Sequence, residues 1–428
     1  MTPSPQLSEA AVRTSPAAIS SMMQMALANP GLISLAAGFV DQGSLPAEAA
    51  RRAMEAVLAD PVEGRRALQY GTTIGDLGLR TRLIEQLERN ERVPAGSFRG
   101  AVGRTVVTTG SQQLLYLITE ALLDPGDIVL VEAPTYFVFL GVLETRGARA
   151  IGVETDEGGL RLDALEATLR DLKARGLLSR VKLLYTISEH SNPTGVSLAE
   201  ERRGPLVELI KRWSGEQKIL ILEDAAYRGL TYSGAEPPSV WRHDPAGDTV
   251  ILARTFSKTF SPGLKTGYGI LPETLLEPVL RLKGNHDFGS GHFAQQVLER
   301  ILVDGTYERH VQELIAVYRR KRDVMLGALE EHLGAWDGAV SWTCPKGGLF
   351  LWLSVPEGLD TGPEGPLFAR CLEEGVIYVP GALAYAAEPG PFPRNHARIC
   401  FGVPSEEELN EGARRLAAAL AECFDAVA

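Results

Sequence analysis

The feature that most constrains this chain is a series of seven short apolar runs, at 106–109, 128–132, 150–153, 182–187, 218–223, 250–253 and 267–271. Most are apolar on both faces. A strand with one wet face alternates polar and apolar residues, whereas one apolar throughout must be covered on both sides. The stretches between read as helices, at 111–123, 136–145, 162–175 and 198–213. Such alternation predicts an open α/β sheet of seven mostly parallel strands with helices on both faces. The last run follows its predecessor after a loop too short for a parallel crossover, so it is expected to be antiparallel.

Beyond residue 275 the pattern changes to a long amphipathic helix at 307–332, β-rich pieces at 348–355, 376–379 and 397–401, and a closing helix at 405–420. The Ser-Glu-Glu-Glu start of that last helix suits a helix N-terminus. With 428 residues the chain exceeds what one core usually holds, roughly 250–300 residues. Two domains are expected: a large one over 51–305, and a smaller α+β one over 306–428 that residues 1–50 join.

The net charge of -11 argues against nucleic acid or an anionic membrane as partner. No stretch reaches the ~18 apolar residues of a membrane span, and the N-terminus lacks a signal-peptide pattern. Cys344, Cys371, Cys400 and Cys423 form no CxxC pair, which suggests neither a metal site nor a disulfide framework. A cytoplasmic setting is expected.

In open α/β sheets ligands bind beyond the carboxyl ends of the strands, and polar residues gather there. The first run leads into Gly110-Ser111-Gln112 at a helix start, which is an anion site or a plain Ser111 cap. Asn192 lies in an Asn-Pro-Thr-Gly turn. Asp224 ends an apolar strand, where a carboxylate needs a cationic or protonated partner. Tyr227 follows, and the next strand delivers Thr255, Ser257 and Lys258. An amine, a carboxylate and an anion cradle on one edge fit pyridoxal 5′-phosphate: the amine forms an imine with its aldehyde, the acid holds the pyridine nitrogen protonated, and the helix start takes the phosphate.

At this point the chain resembles the class I/II aminotransferases, fold-type-I pyridoxal-phosphate enzymes, and most of all their 2-aminoadipate and kynurenine branch. QYGTTIGDLGLR, TGSQQLLYL, EAPTYFVFL, NPTG, EDAAY, SKTFSPGLKTG, PKGGLFLW and ARICFG occur in family order. The resemblance implies that Lys258 is the internal-aldimine lysine and proton-transfer base, and that Asp224 pairs with the pyridine nitrogen. It implies that Tyr227 and Asn192 bond the ring 3′-oxygen, and that Tyr136 stacks on the ring. Ser111, Gln112, Thr255 and Ser257 become phosphate contacts, and Tyr70 reaches the neighbouring subunit's phosphate in a homodimer. Arg398 becomes the clamp on the substrate α-carboxylate, and Gly38 a backbone position closing over the substrate. No metal is implied.

Two positions depart from the family. Lys265 stands where arginine is usual, keeping the charge but losing the fork. His190 lies where the family carries other residues, either as an extra acid or base near the ring or as a loop histidine held by backbone. His286, Asp287 and His292, in a Gly-rich stretch, match no common metal spacing and read as a loop and helix start near the site. The function expected is amino-group transfer from an amino acid to a 2-oxo acid. The same site on this fold also hosts elimination, replacement, cyclisation or oxidation. A cofactor-binding regulator would carry a DNA-binding domain ahead of the fold, and a nicotinamide dehydrogenase would need a GxGxxG turn. Neither feature is seen in the sequence.

Overall fold

The computed structural model describes residues 5–16, 22, 24–25, 28–29, 31–215, 217–336 and 338–425. A two-residue strand, β1 (Ile33–Ser34), precedes helices Ala47–Leu58, Pro61–Ala67 and Leu77–Asn90. Then comes the main sheet: β2 (Thr105–Thr108), β3 (Ile128–Ala133), β4 (Arg149–Asp156), β5 (Gly159–Leu160), β6 (Val181–Thr186), β7 (Leu220–Asp224), β8 (Val250–Thr255) and β9 (Gly267–Ile270). The spatial order is β2-β9-β8-β7-β6-β3-β4-β5.

The seven expected strands are all present, and β9 is antiparallel to both neighbours, as its short loop requires. β5 is an addition: two residues that turn back on β4 after Glu157 and Gly158 and so make the sheet eight-stranded. It is too short to carry a periodic signal. The inner strands are buried along nearly their whole length because helices cover both faces: Leu130, Leu184, Ile221 and Leu252 pack in one core, and Val129, Val131, Leu183 and Leu222 in another.

The C-terminal part holds an antiparallel sheet of β10 (Ser341–Trp342), β11 (Phe350–Ser354), β13 (Val379–Pro380) and β14 (His396–Cys400), in the order β10-β11-β14-β13. β12 (Val376–Ile377) instead pairs in parallel with β1, Ile33 opposite Val376. The helices Thr306–Leu333 and Glu406–Asp425 pack over this region through Met325, Leu329, Leu409 and Leu416. A third core forms there, and it includes Leu35 from the N-terminal segment.

Candidate active site

β7 and β8 are neighbours in the sheet, with Asp224 opposite Ala253, so their ends bring an acid and an amine to one edge. The chain runs from Thr255 through Ser257 to Lys258 immediately past β8. Lys258 Nζ donates to the Gly38 carbonyl at 2.7 Å, which ties the strand end to the N-terminal segment. Burial, with the Arg398 guanidinium adding to it, brings this amine down to about 8. A lysine so shifted supplies neutral, nucleophilic amine near neutral pH.

Asp224 closes β7 and is buried. Tyr185, on the adjacent β6, donates its hydroxyl to Asp224 Oδ2 at 2.9 Å, and the Ala226 amide donates to Oδ1 at 3.2 Å. Burial outweighs these bonds and pushes the carboxyl up to about 6. A buried acid in that state gains from a cationic or protonated partner, the demand its place in the sequence implied.

The anion cradle lies across β9. The helix Gly110–Leu122 begins with Gly110 at φ 71°, and Thr109 ahead of it makes no side-chain cap. Ser111 therefore is not the cap: it sits inside the first turn, whose amides have no partner within the helix. A Cβ on Gly267 would come within 2.7 Å of Gly110 C and Ser111 N, so glycine there lets β9 lie directly against this turn. Thr255 Oγ1 bonds Ser257 Oγ at 3.0 Å and accepts the Ser257 amide at 3.2 Å, which presents both hydroxyls beside the turn. Lys265, in the left-handed region at φ 50°, completes the wall.

One cavity is lined by Ser111, Gln112, Tyr136, Asn192, Asp224, Tyr227, Thr255, Ser257, Lys258 and Lys265, so ten of the residues named from the sequence converge. Thr109, Gly110, Ile187 and Ala226 line it too, and Ile187 and Ala226 have no polar side chain to mark them. Burial raises the Tyr136 phenol to about 12 and the Tyr227 phenol further, so both stay protonated donors at neutral pH. Arg398 and Gly38 adjoin the cavity. Arg398 Nη1 donates to Asn192 Oδ1 at 2.9 Å and Nη2 to the Ala36 carbonyl at 2.6 Å, while its buried Nε has no partner among the described residues. Tyr70 stands apart, 81% exposed, its ring edge-on to Phe288 at 5.5 Å.

His190 does not face the cavity. Its Nε2 lies 2.9 Å from Thr231 Oγ1 and its Nδ1 3.2 Å from Ser197 Oγ, with burial lowering it to about 4. It is a neutral loop histidine, as in the second of its two readings, but two side-chain hydroxyls rather than backbone hold its ring. Beneath the site lies a buried ion network that no motif signals. Glu189 takes Arg203 at 2.8 Å and Arg228 at 2.6 Å, and Arg228 also meets Glu91 at 2.9 Å. Burial alone would raise Glu189; the two guanidiniums overcome it and hold the carboxylate low. The network joins the residue after Tyr227 to the loop that carries Asn192.

These donors suit pyridoxal phosphate group by group: an uncapped helix start with two hydroxyls and a lysine for the phosphate, a raised buried acid for the ring nitrogen, and a lowered amine for the aldehyde. Fold and site together place the chain among the fold-type-I pyridoxal-phosphate enzymes. Within that class, the chain belongs to the aminotransferase class I and II family, whose model matches residues 30–416. It is 34% identical to aromatic-amino-acid aminotransferase 1 of Thermococcus litoralis over 91% of this chain and 88% of that one. It is 33% identical to the 2-aminoadipate transaminase of Thermus thermophilus, covering 91% of this chain and 90% of the relative. In structure it resembles the Pyrococcus horikoshii kynurenine aminotransferase solved with PMP and KYN as substrates and KYA as products. The TM-score there is 0.88, at 32% identity, over 98% of this chain and 97% of that one. The protein is a pyridoxal-phosphate-dependent aminotransferase acting on amino and 2-oxo acids.

Proposed function

We propose that Lys258 is the base of this transamination and Arg398 its substrate clamp. The observation that carries the reading is the convergence of the lowered Lys258 amine and the raised Asp224 acid on adjacent strand ends, beside an uncapped helix start. Pyridoxal phosphate, when bound, supplies an aldehyde that condenses with amines and a ring that takes up the electrons of a broken Cα–H bond.

The chain's residues do the rest. With the substrate amine in its place on the aldehyde carbon, Lys258 takes the proton from the substrate Cα and delivers it to that former aldehyde carbon, which is what moves the amino group from substrate to cofactor. Asp224, held by Tyr185, keeps a proton on the ring nitrogen. Tyr227 and Asn192 bond the ring oxygen, and Tyr136 packs against the ring. The Gly110–Gln112 turn, Thr255, Ser257 and Lys265 bind the phosphate. Arg398 meets the α-carboxylate with its planar fork, between the rings of Phe350 at 4.3 Å and Phe137 at 5.4 Å. Gly38, whose carbonyl holds the resting amine, closes over the substrate.

The reading extends to a cytoplasmic homodimer in which Tyr70 serves the partner subunit's phosphate. Its support is the exposed Tyr70 and Phe288 pair on the surface. Domain limits at 50/51 and 305/306 belong to the same reading: the pairing of β1 with β12 supports joining the N-terminal segment to the C-terminal part, although the helix Ala47–Leu58 runs across the first limit. The donors to try first are the kinds named for the relatives: aromatic amino acids, 2-aminoadipate and kynurenine.

The test is a visible spectrum of the protein with pyridoxal phosphate, followed by single amino acids without oxo acid, with Lys258→Ala alongside. Loss of the cofactor band with release of a matching 2-oxo acid, absent in the variant, supports the assignment. A band that recovers while the amino acid becomes another product overturns the transaminase reading.

A further inference from the structure

The Gly-rich segment after residue 283 plays no part in the reaction just described, yet it is wired to the phosphate turn. Lys283, fully buried at Nζ, donates to Asp287 Oδ1 at 2.8 Å, to Oδ2 at 3.0 Å and to Ser290 Oγ at 3.1 Å. Asp287 Oδ2 accepts Gln113 Nε2 at 2.7 Å. The other end of that same amide, Gln113 Oε1, accepts the Thr109 N–H at 2.7 Å. Thr109 Oγ1 lies 3.4 Å from Ser290 Oγ, which closes the circuit.

An amide side chain with both ends engaged has one orientation and no freedom to swing. Here it fixes the residue immediately before Gly110, whose left-handed backbone starts the helix. The amides of Gly110, Ser111 and Gln112 are then left pointing out along the helix axis. Lys283 neutralises Asp287, so the carboxylate fixes the turn without presenting an unbalanced negative charge to an incoming anion.

We propose that Asp287 is a positioning residue for the cofactor phosphate, acting through Gln113 on the Thr109–Gly110 turn. This rests on the assignment of that turn to the phosphate. The experiment compares dissociation constants of apo-protein for pyridoxal phosphate and for pyridoxal, which lacks only the phosphate. The proteins are wild type, Asp287→Ala, Asp287→Asn, Gln113→Leu and the Asp287→Ala/Gln113→Leu double variant, each checked for folding by circular dichroism.

Asp287→Ala and Gln113→Leu should each weaken pyridoxal phosphate about tenfold, the size of one lost charge-assisted bond, and leave pyridoxal within about twofold. The double variant should be no worse than the weaker single one, and Asp287→Asn, which keeps an acceptor oxygen, should recover part of the loss. Equal losses for both ligands, or losses that multiply in the double variant, would mean general destabilisation and overturn the proposal. Should Asp287→Ala not fold, the ligand ratio in Gln113→Leu decides. Wild type that takes up neither ligand sinks the phosphate assignment and this proposal with it; wild type that binds, with unchanged variants, sinks this proposal alone.

Discussion

The Arg398 guanidinium and the Asn192 side-chain oxygen are 2.9 Å apart, which links β14 to the turn after β6. One N–H is spent on Asn192 and one on the Ala36 carbonyl, while Nε has no partner among the described residues. Phe350 and Phe137 flank the plane of the fork. Arg398→Lys keeps the charge but loses the second bond and the stacking. We expect the KM for the amino acid to rise roughly a hundredfold, about two bonds' worth. Steady-state kinetics check this, with cofactor affinity changing by less than about threefold.

Lys258 supplies a pH prediction. With the folded value near 8, about one amine in ten is neutral at pH 7, against fewer than one in a thousand for a free lysine. The rate at which apo-protein captures pyridoxal phosphate should climb steeply up to about pH 8 and flatten above it. Stopped-flow absorbance at graded pH reads this directly. A rate still climbing at pH 10 would show an ordinary lysine.

Gly267 makes the cradle possible by bringing β9 onto the helix start. In Gly267→Ala the new methyl meets backbone at 2.7 Å on three sides, from Arg254 O, Gly110 C and Ser111 N. The strand and the helix turn must separate. Overpacking of this kind costs about 1–3 kcal/mol, visible as a lower urea midpoint. Pyridoxal phosphate affinity should fall by more than about tenfold as well.

His190 bears on acid stability. It is buried and neutral at about 4 in the fold, whereas the unfolded chain protonates it near 6.5. Its contribution is therefore whole above pH 6.5 and shrinks as pH falls from there towards 4, by at most about 3 kcal/mol. His190→Asn should lose less stability than wild type between pH 7 and pH 5 in urea titrations. Parallel losses in the two proteins would rule the residue out as a cause.

What could be read in advance follows from how each signal arises. The strands of the main sheet were visible because burial on both faces leaves continuous apolar runs, and Asp224 and Lys258 because polar residues at strand ends break them. Only the bounds shifted, with Asp224 inside β7 rather than after it. β5 was not visible, since two residues show no period. Tyr185 lies within an apolar strand, where nothing marks its hydroxyl as the partner of Asp224. The Glu189–Arg203–Arg228–Glu91 network was hidden for a different reason. Each charge taken alone looks like a surface residue, and only the fold brings residues 91, 189, 203 and 228 together.

The bonds from Arg398 to Ala36 and from Lys258 to Gly38 span 362 and 220 residues of chain. During synthesis Gly38 waits for Lys258, just past β8, and Ala36 waits for Arg398 on β14. The main sheet can close around its own core well before then. The half-made protein thus has a scaffold and a cradle but no way to grip an amino acid. The grip on the carboxylate arrives only with β14, long after Lys258 and the phosphate turn have been made.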